Sequence, residues 1–274
     1  MKIITLVENT EGAKGCGAEH GLSLYVETER HRLLMDTGAS SLFLQNAQIL
    51  GVDLEKVDTV ILSHGHFDHG GGIPAFAKIN PQAKIWLQKS AFGDFYSQPK
   101  GQEGHYIGLD PAIRDLEQLV FAEDVCRIDE ELTVFSAIGT VWPLPPTNYA
   151  LKEKGPEGMV PEDFRHEQCL VIREKGKTVL FSSCAHHGML NILDRYRVLF
   201  QEEPDVVISG FHMMKNRGYE DRDVRFITET AAELNKTRPV YYTGHCTGEV
   251  PYQMMKDIMG DKIRYLHTGD ELTV

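Results

Sequence analysis

The chain reads as an α/β protein in which buried strands deliver polar residues to one edge, and three observations predict this. Short β-rich apolar runs recur, and they are continuous rather than alternating, as in strands covered on both faces. Amphipathic helical patterns fall between the runs. Each run also ends at a small residue followed by an Asp or His. Leu33-Leu34-Met35 leads into Asp36-Thr37-Gly38, and Val60-Ile61-Leu62-Ser63 into His64. Val179-Leu180-Phe181 leads into Ser182-Ser183-Cys184-Ala185-His186, Val206 to Phe211 into His212, and Val240 to Gly244 into His245. Open α/β architectures place their sites at the carboxyl ends of such strands.

The elements follow in order. The opening MKIITLVENT has one Lys and five apolar residues before Glu8, too short for a signal-peptide core, and reads as a first strand. Ser40 to Gly51 sets Leu42, Phe43, Ala47, Ile49 and Leu50 near one face between a serine start and a glycine stop, which predicts a helix. Pro74 to Ile79 predicts a short helix with proline in its first turn. Ile192 to Gln201, Asp221 to Leu234 and Val250 to Met259 are further amphipathic segments, and Tyr265 to Val274 reads as a closing strand carrying His267. Two segments, 93–108 and 144–162, are rich in Gly, Pro and polar residues and read as loops or lids. The expectation is a single domain over 1–274 with these two loop insertions near the site.

The composition narrows the function. With 274 residues, 42% of them hydrophobic, the chain can fill a substantial core. Its 40 acidic against 28 basic residues, a net charge of −12, give a field that repels nucleic-acid backbones, so a nucleic-acid partner is not expected. A bound divalent cation would still reverse the potential locally. No run approaches the roughly 18 apolar residues of a membrane span, and the chain is expected to be cytoplasmic without a membrane partner. The five cysteines, Cys16, Cys126, Cys169, Cys184 and Cys246, are odd in number, widely spaced and without a CxxC pair, which argues against a secreted disulfide framework.

The densest chemistry lies in His64-Gly65-His66-Phe67-Asp68-His69, directly after a strand and directly before Gly70 to Gly72. Three imidazoles and a carboxylate in six residues make a metal cradle; they suit zinc, and the carboxylate leaves iron(II) or manganese open.

With its preceding strand, this motif resembles the His-x-His-x-Asp-His signature of the metallo-β-lactamase superfamily. The chain is similar in particular to the dihydropterin-methyl-ribofuranosylaminobenzene-phosphate synthase-like branch. The supporting pieces are Glu8-Asn9, Glu19 to Ser23, Asp36-Thr37-Gly38, Ser63 to Gly72, Cys184-Ala185-His186, Gly210-Phe211-His212 and Thr243 to Gly248. The resemblance implies an αββα sandwich of two mixed sheets with helices outside and a metal site at one edge. It implies that His64 and His66 bind a first metal, that Asp68, His69 and His245 bind a second, and that Asp36 orients a ligand imidazole. The usual bridging Asp is replaced by Cys184, which reads either as a ligand or as a buried thiol, so one ion or two unequal ions are expected. The third imidazole of the first site is His186 or His166, with His186 favoured because the closer branch has a cysteine followed two residues later by His.

The chemistry that follows is hydrolysis by a metal-activated water, with Asp68 orienting the nucleophile and His212 binding substrate or acting as general acid. The expected substrate is a small molecule, a phosphodiester or cyclic phosphate of nucleotide- or pterin-like type. A lactone, thioester or β-lactam hydrolase is the first alternative, followed by a di-iron oxidoreductase and a non-catalytic metal sensor. Asn9, His20, Glu19, His105 and Tyr106 are candidate pocket residues, and Arg217, Arg222 and Arg225 are weighed as phosphate contacts against a solvated helix start.

Overall fold

The structure, a computed structural model, describes residues 1–13, 15–216 and 218–274. Two seven-stranded mixed sheets lie face to face. The first has the spatial order β18 (Glu271–Thr273), β1 (Lys2–Val7), β2 (Ser23–Glu27), β3 (Arg32–Met35), β4 (Thr59–Ile61), β5 (Lys84–Leu87) and β8 (Leu119–Phe121). The second has the order β17 (Ile263–Tyr265), β16 (Val240–Thr243), β15 (Val206–Ser209), β14 (Lys177–Ser183), β13 (Cys169–Glu174), β10 (Leu132–Phe135) and β9 (Val125–Arg127). In each sheet an antiparallel portion joins four parallel strands, β3-β4-β5-β8 in one and β14-β15-β16-β17 in the other.

The continuous apolar runs are explained by the layering. On β3, Leu33 and Met35 belong to the core between the sheets, which also holds Val134, Leu170, Val179, Phe181 and Ile208. Leu34 faces the other way, into a core closed by α1 (Leu42–Ile49) and α3 (Ile73–Ile79) through Phe43, Ala47, Ile73 and Phe76. On the second sheet Leu180, Val207 and Tyr241 point outward under α4 (Met189–Phe200), α5 (Asp221–Asn235) and α6 (Glu249–Met259), which supply Ile192, Leu193, Tyr196, Ile227, Ala231, Leu234 and Met255. Every strand side chain in the middle of these sheets meets another layer, so neither face needs polar residues. The architecture is the αββα sandwich that the resemblance implied.

Segments 93–108 and 144–162 differ from expectation. They are not loops but largely one antiparallel sheet, ordered β12 (Gly158–Pro161), β11 (Leu151–Gly155), β6 (Phe95–Ser97) and β7 (His105–Tyr106). The strands are short and close to Gly and Pro, and β6 pairs with a strand more than fifty residues away, so local pattern carries little of the signal. The predicted closing strand is likewise split, with His267 between β17 and β18 and its Nδ1 2.7 Å from Thr10 Oγ1.

At the end of β3 remote from Asp36, the His31 ring joins the two halves, with Nδ1 3.0 Å from Asp58 Oδ1 and Nε2 2.6 Å from Asp129 Oδ2. Burial lowers the His31 pKa, but the two carboxylates outweigh it and hold the ring above its ordinary value. Such a raised pKa stabilises the fold fully below the unfolded value near 6.5, and the contribution fades as pH rises through the folded value. His31→Ala is therefore expected to lower the urea midpoint more at pH ~5.5 than at pH ~8.5, each measured against wild type. Phe181→Ala, removing a fully buried ring between the sheets, is expected to cost about 3–5 kcal/mol in the same titration.

Candidate metal centre

Asp36 organises the edge where β3, β4, β14, β15 and β16 end. It has a positive φ of 59°, which turns the chain sharply after the strand. Its carboxylate is fully buried and accepts from Ser63 N and Ser63 Oγ at 2.7 Å, from Ser183 Oγ at 2.6 Å and from His69 Nδ1 at 2.7 Å. Ser63 follows β4 of the first sheet and Ser183 ends β14 of the second, so one carboxylate ties both sheets to a histidine. The following glycines permit the helix α2 (Phe67–Gly70) to lie against the Asp36 turn: a Cβ at Gly71 would fall 2.2 Å from Ala39 O, and one at Gly72 2.3 Å from Thr37 O.

The structure brings His64, His66 and His186 together, with one ligand atom from each within 4.8 Å of the others. His64 Nδ1 is 2.7 Å from Ser63 Oγ, and its buried Nε2 has no hydrogen-bond partner among the described residues. His186 Nε2 is likewise buried and unpartnered. Asn148 Nδ2 donates to His186 O at 2.8 Å, and the Phe164 ring stacks on the imidazole at 4.6 Å. Burial and neighbouring imidazoles push the pKa of both rings well below the ordinary value, so each is neutral with a free lone pair. His66 donates Nε2–H to Glu162 at 2.9 Å, which leaves its Nδ1 for a ligand. His166 stands beside them with both nitrogens engaged, Nε2 with Glu162 at 2.7 Å and Nδ1 accepting from Gly65 N at 2.9 Å. Burial raises the Glu162 carboxyl, but His66 and His166 outweigh this and bring it down to about 2.

A second group forms around Asp68, His69 and His245. Asp68 Oδ2 is 3.3 Å from His245 Nε2 and 3.6 Å from His69 Nε2, and the two nitrogens are 3.1 Å apart. Donors at 2.0–2.2 Å from a tetrahedral ion are separated by about 3.3 Å, so these atoms already have the spacing of one coordination face. The opposite nitrogens are fixed, His69 by Asp36 and His245 by Asn9 Oδ1 at 2.8 Å, which is how ligand tautomers are held. Burial raises the Asp68 carboxyl, while His69, His245 and His20 together hold it below the usual carboxylate range. Cys184 lies between the groups: its sulfur is 3.2 Å from His69 Nε2 and clusters with His64 and His69, with His186 and His212, and with His245 and Cys246. Unpartnered lone pairs in one group and tetrahedral spacing in the other fit divalent metal at both.

The remaining candidates take distinct places. His212 packs 4.2 Å from the His186 ring and has a buried Nδ1 without a partner among the described residues. His20 Nε2 is 3.4 Å from Asp68 Oδ2 and, with His105, lines a pocket of about 870 Å³ above the cluster. Glu19 instead caps the turn after Gly38, accepting from Ala39 N, Ser40 N and Ser40 Oγ, and Tyr106 donates to Leu109 O. Arg222 pairs with Glu220 at the start of α5, and Arg217 lies outside the described residues. Sequence reasoning missed Glu162, Asn148 and Glu167, whose carboxylate accepts from His186 N at 2.6 Å and His187 N at 3.0 Å. The four-residue spacing of Glu162 from His166 was the available signal for the first.

His186→Ala is expected to remove bound metal from the first group, whereas His166→Ala retains near-full metal content by elemental analysis. Asp36→Ala is expected to cost about 3–5 kcal/mol of stability by denaturant titration, because it strips a buried network of its acceptor. Glu162→Gln is expected to weaken metal affinity about 10–100-fold in a chelator competition.

Comparison with known proteins agrees with this geometry. Residues 16–154 match the model of the metallo-beta-lactamase superfamily. The chain is 27% identical over 290 aligned residues to the 7,8-dihydropterin-6-methyl-4-(beta-D-ribofuranosyl)-aminobenzene-5'-phosphate synthase of Methanocaldococcus jannaschii, covering 98% of this chain and 95% of that one. It is 28% identical to an uncharacterized protein of the same organism over 76% of this chain and 78% of the relative. Among solved structures, Tm1679, a metal-dependent hydrolase of the beta-lactamase superfamily, superposes with a TM-score of 0.83 at 29% identity, over 100% of this chain and 99% of that one. The metallo-beta-lactamase fold protein YhfI from Bacillus subtilis shares the fold, with a TM-score of 0.58 at 14% identity over 99% of each chain. The strand-end donors, the paired donor groups and the matched family model together make this chain a member of the metallo-β-lactamase superfamily of metal-dependent hydrolases.

Proposed function

We propose that the protein hydrolyses a phosphodiester or cyclic phosphate in a small nucleotide- or pterin-like molecule, with zinc as the metal. The observation that carries this reading is the charge of the pocket. On a chain of net charge −12, Asp68 is the one carboxylate among the described lining residues, while Lys100, Lys215 and the imidazoles of His20, His66, His105, His186, His212 and His245 surround it. Lys215 is paired with Asp223, so Lys100, together with the divalent cation that the neutral imidazoles would hold, carries most of the attraction for an anion. Phe67, Tyr149 and Met214 also line the pocket and supply apolar surface for a flat ring system. The named synthase relative, aligned over 98% of this chain, has a pterin and a phosphate in its name and favours the same substrate class.

His64, His66 and His186 in one group and Asp68, His69 and His245 in the other would hold divalent metal, which would supply Lewis-acid activation of water at neutral pH. The protein residues do the rest. Asp68, held ionised by its imidazole neighbours, orients the attacking water. His212 has an unpartnered Nδ1 beside the cluster and delivers the proton to the leaving oxygen. Thr147 Oγ1 donates to His212 O and keeps that residue in its positive-φ turn. Lys100, in the turn between β6 and β7, and His105 of β7 line the pocket of about 870 Å³ and select for anionic molecules that can enter it.

A panel of bis(p-nitrophenyl) phosphate, cyclic nucleotides, p-nitrophenyl acetate and a chromogenic β-lactam, assayed with zinc, manganese and iron(II), tests the proposal. Turnover of the phosphodiesters with zinc is expected, and turnover of carbonyl substrates alone overturns it. His212→Ala is expected to lower kcat about 10²–10⁴-fold while leaving metal content unchanged.

A further inference from the structure

Cys184 and Cys246 are the two cysteines that line the pocket, and the proposed function assigns no role to the second. They follow strands that are not neighbours, β14 and β16, with β15 between. Their sulfurs nevertheless meet, lying with a His245 ring nitrogen within 4.8 Å of one another, and Cys246 Sγ donates to Cys184 O at 3.5 Å. The meeting needs a glycine at the end of β15: a Cβ at Gly210 would fall 2.4 Å from Cys246 Sγ. The backbone N–H of His212 donates to the same sulfur at 3.3 Å. Both thiols are nearly inaccessible from the outside, at 2% and 5% exposure, yet both face the pocket that admits substrate.

We propose that Cys184 and Cys246 form a dithiol pair that a peroxide oxidises to a disulfide, withdrawing the Cys184 sulfur from the metal-binding cluster. The step balances with one peroxide. Cys246 sulfur attacks a peroxide oxygen, the O–O bond breaks, and a sulfenic acid and one water (or alcohol) result. Cys184 sulfur then attacks Cys246 sulfur; the S–S bond forms, the S–OH bond breaks, and the hydroxyl leaves with the Cys184 thiol proton as a second molecule of water. The sulfurs must close from within 4.8 Å to about 2.05 Å, and Gly210, which has no Cβ to meet the Cys246 sulfur, leaves that sulfur lying directly over the backbone between the two strands. Once bonded to Cys246, the Cys184 sulfur no longer offers a thiolate to the His64 and His69 side of the cluster. The disarming of the metal site rests on the metal-centre reading above; formation of the disulfide does not.

The test treats the protein as purified, with its metal, with hydrogen peroxide and maps the cysteines by mass spectrometry while metal release is followed with a chromogenic chelator. The expected result is a loss of 2 Da, a single linked peptide pair containing Cys184 and Cys246, free Cys16, Cys126 and Cys169, and metal release reversed by dithiothreitol with added zinc. In Cys246→Ser, peroxide-driven metal release is expected to slow at least ~10-fold. Sulfinic acid on either residue without a cross-link, or equal release from wild type and Cys246→Ser, overturns the proposal. A protein that forms the disulfide but binds no metal before oxidation contradicts the metal-centre reading and leaves the dithiol pair standing.

Discussion

A single buried carboxylate holds the site together. Asp36 is fully removed from water, so its charge has to be satisfied by donors within the protein, and four donors from three residues do this. Two come from Ser63 in the first sheet, one from Ser183 in the second and one from His69 in the metal-binding motif. The distance between the sheets at this edge and the orientation of a ligand imidazole are therefore set at the same pair of oxygen atoms. The rest of the centre inherits that alignment, because His64 is adjacent to Ser63 and Cys184 to Ser183.

The two donor groups differ in chemistry. Around His64, His66 and His186 the donors are imidazoles, two of them held neutral by burial and by one another. Around Asp68, His69 and His245 a carboxylate brings a formal negative charge, and its neighbours keep it ionised. Where the resemblance leads one to expect a shared carboxylate, the sulfur of Cys184 stands between the two groups, a softer and more polarisable atom than a carboxylate oxygen. The replacement makes the centre less symmetric and adds a group with redox chemistry of its own.

Much of this was legible in the amino-acid order, and for a physical reason. Strands such as Leu33 to Met35 and Val179 to Phe181 are buried on both faces, so their apolarity is continuous, and the first polar residue after each has to sit where the strand emerges. That placed Asp36, His64, His186, His212 and His245 on one edge before any geometry was known. The motif spacing of His64 to His69 carried candidate donors of both groups, and the resemblance to a branch with a cysteine followed two residues later by His favoured His186 over His166. The accessory sheet was not legible, since β6 and β11 are short and find each other across more than fifty residues. Glu162 and Asn148 were missed with it, because their value lies in what they reach rather than in their neighbours. Cys246 was visible as part of a glycine-flanked motif, but its approach to Cys184 depends on the turns after β14 and β16 meeting over Gly210, at the end of the strand between them.

Glu162 lies just beyond β12, on the sheet that forms the outer pocket wall, yet its oxygens hold both His66 and His166. Pocket wall and metal cradle are thus two ends of one lever. A cation that aligned His66 would act on the same carboxylate that is anchored beyond β12, and by linkage any coupling between the two would be equal in both directions.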